Sequence, residues 1–120
     1  MRFILLLFLT ISTTFALTPY EKGKELYLKH ACYACHGHKL EGIHRYPRLA
    51  NRSKGYLAYK LKHFRAREAD TQQQEMMIDF ALPLSDEDID NLTTYFTDYV
   101  EDDLEEKYDD SFEVYGDGGS

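Results

Sequence analysis

Cys32-Tyr33-Ala34-Cys35-His36 constrains this chain more than any other five residues in it. Two thiols three positions apart, followed at once by an imidazole, form the Cys-x-x-Cys-His signature of covalent haem attachment. Each thiol can add to one vinyl group of a single porphyrin, and the histidine can bind the iron from one face. The chain has 2 cysteines, and the motif uses both.

The 120 residues allow one small domain, and the first stretch reads as separate from it. Arg2, the apolar run Phe3 to Leu9 and the small residues up to Ala16 have the order of a secretory signal peptide, with Thr14 and Ala16 at the cleavage site. The competing reading is an uncleaved anchor, but the apolar run falls short of the ~20 residues a spanning helix needs. No cysteine lies near the cut to carry a lipid. Export suits the motif, because haem attachment needs reduced thiols outside the cytoplasm. Without haem, two cysteines in an exported chain would suggest a disulfide.

Lys and Arg total 14 and Asp and Glu 21, a net charge of −7. Nine of the acids fall in residues 101–120, with Lys107 as the single cation there. Residues 17–100 then balance, which excludes the one-sided charge of a nucleic-acid binder. The expected organisation is a signal peptide over 1–16, a domain over 17–100 and a disordered acidic tail over 101–120. That tail reads either as a solvated extension or as a docking arm for a basic partner. Its Tyr108, Phe112, Val114 and Tyr115 are unusual in a purely solvating segment.

Helical signals dominate the domain and strand signals are weak. Thr18, Pro19 and Glu21 open a first helix to about Ala31, with Gly23, Leu26, Tyr27 and Ala31 on one face. Gly23 sits where a glycine costs ~1 kcal/mol, which suggests a close helix contact. Gly37 to Asn51 reads as a loop. Ser53 can cap a second helix over about 54–67, striped by Tyr56, Leu57, Leu61 and Phe64. Ala69 to Gln74 reads as a polar connector, and 75–81 as loop or short helix. Ser85 and Asp88 form a capping-box variant before Ile89, Leu92, Tyr95, Phe96 and Tyr99, in a helix ending near Val100. The fold class is all-α, with three main helices and long loops around one covalently bound haem. A core this small is marginal by area alone, so the haem-free chain should fold poorly.

A second axial ligand decides what the iron can do. Met76 and Met77 are the only methionines besides Met1. A Met/His pair suits electron transfer and raises the potential. Either could instead be a core filler. His30, His38, His44 and His63 fit no ligand spacing. A thiol-disulfide reading lacks the βαβ pattern such proteins carry, and a zinc reading finds no supporting histidine spacing.

In this order the segments resemble the class I c-type cytochromes over about residues 20–100. They are the first helix with Gly23 and Leu26-Tyr27, Cys32 to Gly37, Tyr46-Pro47-Arg48-Leu49-Ala50, Tyr56-Leu57, Phe64-Arg65, the methionine pair, and Leu84-Ser85-Asp86-Glu87-Asp88-Ile89. The likeness extends to short bacterial periplasmic carriers and half-domains of di-haem members. It implies thioethers at Cys32 and Cys35 and iron ligation by His36. It also implies ligation by Met77, seven positions before Leu84, in preference to Met76. The Pro47 carbonyl should meet the other imidazole nitrogen. Gly23 and Tyr95 or Phe96 should meet where the first and last helices cross. The implied activity is periplasmic one-electron transfer by haem c and its iron, without catalysis. Its partners would be membrane or soluble redox proteins met transiently. A haem enzyme or gas sensor with an open sixth position is the alternative. Asn51 and Ala66 stand where relatives often carry glycine.

Overall fold

A computed structural model describes residues 11–101. Most of the expected signal peptide and all of the tail after Glu101 lie outside the described residues. Residues 11–18 form no helix.

Five helices and no strand make up the described chain. Helix α1 spans Pro19–Lys29, with Thr18 and Glu21 forming a reciprocal capping box and Pro19 in the first turn. Helix α2, Tyr33–His36, is a single turn made by the cysteine motif itself. Helix α3 spans Lys54–Arg65 and α5 spans Asp86–Thr97. Ser85 and Asp88 cap α5 reciprocally, and three acids in its first turn face the positive end of its dipole.

The undecided stretch is a full helix. Helix α4 covers Gln72–Ala81, so the polar connector ends at Thr71, whose hydroxyl accepts from the Gln74 N–H at 3.2 Å. Leu82 after the helix still has helical angles, φ −53° and ψ −44°, and Pro83 then stops it because it has no N–H to bond the Asp79 carbonyl. The three main helices expected from the sequence are joined by α4 and the short α2. Ser53 occupies the cap position of α3 without a side-chain bond, and α5 ends at Thr97 rather than near Val100.

Helices α1 and α3 stop in the same way. Ala31 and Arg67 adopt left-handed φ of 54° and 64°. Cys32 N–H returns to the Tyr27 carbonyl at 3.1 Å and Glu68 N–H to the His63 carbonyl at 3.1 Å. Both are Schellman turns built without glycine. Ala31 therefore leaves the α1 face assigned to it and instead turns the chain into Cys32.

Helices α1 and α5 cross as the main packing contact, with Gly23 against Asn91 and Tyr95. Tyr27, Tyr95 and Phe96 interlock beside the crossing, with ring centroids 5.6 to 6.2 Å apart. Leu40, Leu57, Leu61, Leu84, Ile89 and Leu92 complete the core. Helix α3 packs on both α4 and α5. The loop from Gly37 to Ser53 closes the remaining side.

Candidate functional site

The motif is placed by the bonds on either side of it. The Schellman turn at Ala31 delivers Cys32, and the buried Tyr27 hydroxyl donates to the Gly37 carbonyl at 2.6 Å. Burial drives the Tyr27 phenol pKa well above its ordinary value, so the hydroxyl keeps its proton and stays a donor. Gly37 needs its freedom: its φ is 88°, and Glu41 occupies the space a side chain would take.

Between helices and loop lies an apolar cavity of about 440 Å³. Cys32, Cys35 and His36 form part of its wall. Leu57, Leu61, Phe64, Leu84, Leu92 and Phe96 line it, as do Met76, Met77 and Phe80 from α4. Arg45, Arg52 and Lys60 supply its cationic lining, and among the described residues no carboxylate lines it.

His36 is buried at 6 % exposure, and its Nδ1–H faces the Pro47 carbonyl oxygen at 2.8 Å. Burial lowers the His36 pKa, and the Pro47 carbonyl partly opposes that. The imidazole is thus neutral, with Nδ1 occupied and Nε2 available as a lone-pair donor. The Pro47 carbonyl is itself fixed by a tight loop. Gly42, at φ 78°, would crowd the Tyr46, Pro47 and Arg48 backbone if it bore a Cβ, and Gly42 N–H bonds the His36 carbonyl at 2.8 Å.

Cys32 and Cys35 are not joined in a disulfide. Burial pushes the Cys32 thiol up to about 11. A redox-active Cys-x-x-Cys pair needs a depressed thiol pKa, so the thiol-disulfide reading fails on chemistry as well as on fold. Among the described residues, no three His, Cys, Asp or Glu gather as a metal site, which removes the zinc reading's ligand set.

These residues fit a haem. Two thiols and one neutral imidazole stand on one apolar cavity that also takes in two thioethers, with cations available for peripheral carboxylates. The two methionines differ in setting: Met77 packs against the core, whereas Met76 is 51 % exposed.

The remaining histidines are mostly accounted for elsewhere. His38 stacks on Tyr33 at 4.6 Å, and His63 lies 3.0 Å from Glu68 and 3.5 Å from Asp70. His30 does line the cavity, which its spacing did not signal. Sequence reading also missed Tyr27 as an anchor for the motif, Phe80 as cavity wall and the arginine lining. Phe80 could have been found, since it lies four positions after Met76 on one helix face.

An all-helical domain whose attachment motif opens onto an apolar cavity defines a c-type haem protein. The cytochrome c family model matches residues 20–98, and the chain belongs to that family. No curated protein matches it. Membership implies covalently bound haem c with its iron and electron carriage in general. Domains of this family are typically exported, and among the described residues no helix is long and apolar enough to cross a membrane.

Proposed function

We propose that this protein is a periplasmic one-electron carrier, exported by its leader and working without catalysis. Cys32 and Cys35 would hold the haem by thioethers, and His36 and Met77 would bind its iron. The observation that carries this reading is the shared cavity. His36 turns its ring into it from one element, fixed by Pro47, and the methionine pair reaches it from α4.

When bound, the haem supplies the ferrous–ferric couple. The chain's own residues do the rest. Pro47 fixes the His36 ring and raises the basicity of its ligating nitrogen. A methionine paired with histidine at the iron would raise the potential. The apolar wall from Leu57 to Phe96 keeps water out, and a low-dielectric site disfavours the extra positive charge of the oxidised state. Donors and acceptors are other redox proteins, membrane-bound or soluble, met through a small transient interface.

The test is spectroscopic. Protein matured in a haem-attaching host should give a pyridine haemochrome typical of two thioethers, and a low-spin ferric spectrum with a far-red methionine–iron band. Ferrous protein should not bind carbon monoxide. A high-spin spectrum with ready carbon monoxide binding would instead mean an open sixth position, and so an enzyme or sensor.

A further inference from the structure

Helix α4 carries both methionines, yet protein packing holds little of it. Ala81, in its last turn, is its one buried residue, whereas α3 buries three and α5 six. Met76, Met77 and Phe80 serve the cavity. The first two turns of α4 therefore rely on polar contacts. An element held in that way opens locally more easily than a buried one.

Two neighbouring glutamines supply those contacts, and they take different partners. Gln74 Oε1 accepts from Lys60 Nζ of α3 at 3.3 Å and from the Asp70 N–H at 3.2 Å, and Lys60 also donates to Asp70 at 3.1 Å. These bonds fix the start of α4 to α3. Gln73 instead reaches the loop before α3, where its Nε2 donates to the Arg45 carbonyl at 3.2 Å. Arg45 stands two residues before Pro47, within a tight turn in which Tyr46 N–H bonds the Ile43 carbonyl at 2.9 Å. Pro47 in turn holds the His36 ring through the 2.8 Å bond to Nδ1. Arg45, Pro47, Gln73 and Met77 all line the cavity. Gln73 and Met77 are four positions apart, one turn along a single face of the helix.

We propose that Gln73 is a positioning residue, a strut between the helix that carries Met77 and the loop that orients His36, and that it keeps the Met77 thioether seated on the iron. The proposal rests on the reading of Met77 as an axial ligand. One side chain thus ties together the supports of both ligands. Swinging α4 away from the loop, with Gln74 as its pivot on α3, breaks this bond. The bond is exposed, so water competes for it and its net contribution lies at the low end for a hydrogen bond. Its loss should enlarge the fraction of molecules with the sixth position open about two- to fivefold. An external ligand that needs that position binds in proportion to this fraction.

The test is imidazole binding to the ferric holoprotein, with the far-red methionine–iron band followed through the same titration. Gln73→Ala should keep the band in the absence of imidazole and raise the apparent imidazole affinity about two- to fivefold. Gln73→Glu keeps the length of the side chain but loses its donor, so it should match or exceed the alanine variant. Gln72→Ala makes the same change one position away, at a residue outside the cavity lining, and should bind imidazole as the native chain does. Gly23→Ala loosens the α1–α5 crossing instead and should also leave the affinity unchanged. Native affinity in both Gln73 variants overturns the strut. An equal rise in Gln72→Ala or Gly23→Ala overturns it too, since any loosening of the fold would then suffice. A native ferric protein without the far-red band would remove the Met77 reading itself, and the strut with it.

Discussion

Gly23 of α1 lies against the Asn91 backbone of α5 so closely that a methyl group there would overlap the carbonyl and come within 2.7 Å of the Tyr95 Cβ. The obstacle is backbone, which cannot swing aside as a side-chain tip can. Gly23→Ala gains ~1 kcal/mol of helix propensity. Overpacking at a well-filled contact costs about 1–3 kcal/mol, and more when backbone must move. The crossing should win. Urea denaturation of the holoprotein should show a net loss of about 1–2 kcal/mol, and an unchanged or higher midpoint would mean the helices part freely.

The cavity sets the dependence on haem. Emptied with its walls held in place, about 440 Å³ would cost about 10 kcal/mol at the cavity rate of ~24 cal/mol per Å³. That equals the whole stability of a typical small domain, about 5–15 kcal/mol. The walls must therefore collapse or the fold loosen. Haem-free protein, made as Cys32→Ala/Cys35→Ala outside the maturation pathway, should melt without a cooperative transition by circular dichroism. A sharp native-like melt would show that the helices support one another unaided.

Met77 and Met76 should separate cleanly in the ferric spectrum. Met77→Ala should abolish the far-red band and admit carbon monoxide to the ferrous iron. Met76→Ala should leave both properties unchanged, because its half-exposed side chain contributes little to the core. Loss of the band in Met76→Ala alone would transfer the ligand role to Met76.

What could be read in advance was local chemistry. The caps at Thr18 and Ser85 use side chains three residues apart, so sequence spacing is enough to show them. The Cys32 to His36 motif is contiguous and equally legible. Helix α4 was not, because its apolar residues Met76, Met77 and Phe80 serve a cavity for haem as much as a protein neighbour, and Gln72 to Gln74 resemble a connector. The turns at Ala31 and Arg67 lack the glycine that usually marks them. Relatives' glycine at position 66 has no counterpart in strain here: Ala66 has φ −76°, and the left-handed residue is Arg67. The arginine lining depends on tertiary placement.

Acid should weaken the α3–α5 contact through Asp86. The Arg65 guanidinium, 2.6 Å away, bonds and attracts its carboxylate and holds its pKa below 3.8. A depressed folded pKa means that the pair adds stability above the unfolded value and loses it as pH falls through the folded one. Asp86→Asn should therefore destabilise the protein slightly at pH 7 and flatten the dependence of the urea midpoint below about pH 4. Arg65 also donates to the Leu84 carbonyl at 3.1 Å, a bond that remains in the variant. An acid limb as steep as in the native chain would place the acid sensitivity in other carboxylates.

Asn51 takes the place of a glycine for a reason that can be tested. Its φ of 60° is left-handed, where Asn is better tolerated than other side chains. Its amide adds two bonds, to the Thr97 carbonyl at the end of α5 and the Tyr99 carbonyl just after it, which a glycine could not make. Asn51→Ala loses both bonds and keeps a Cβ in the left-handed region, so it should cost about 2–3 kcal/mol. Asn51→Gly loses the same bonds but removes the backbone strain, and should cost about 1 kcal/mol less than alanine. The order native, glycine, alanine in urea midpoints would show that the side chain clamps the end of α5. Glycine equal to or above the native chain would show that only the backbone conformation matters there.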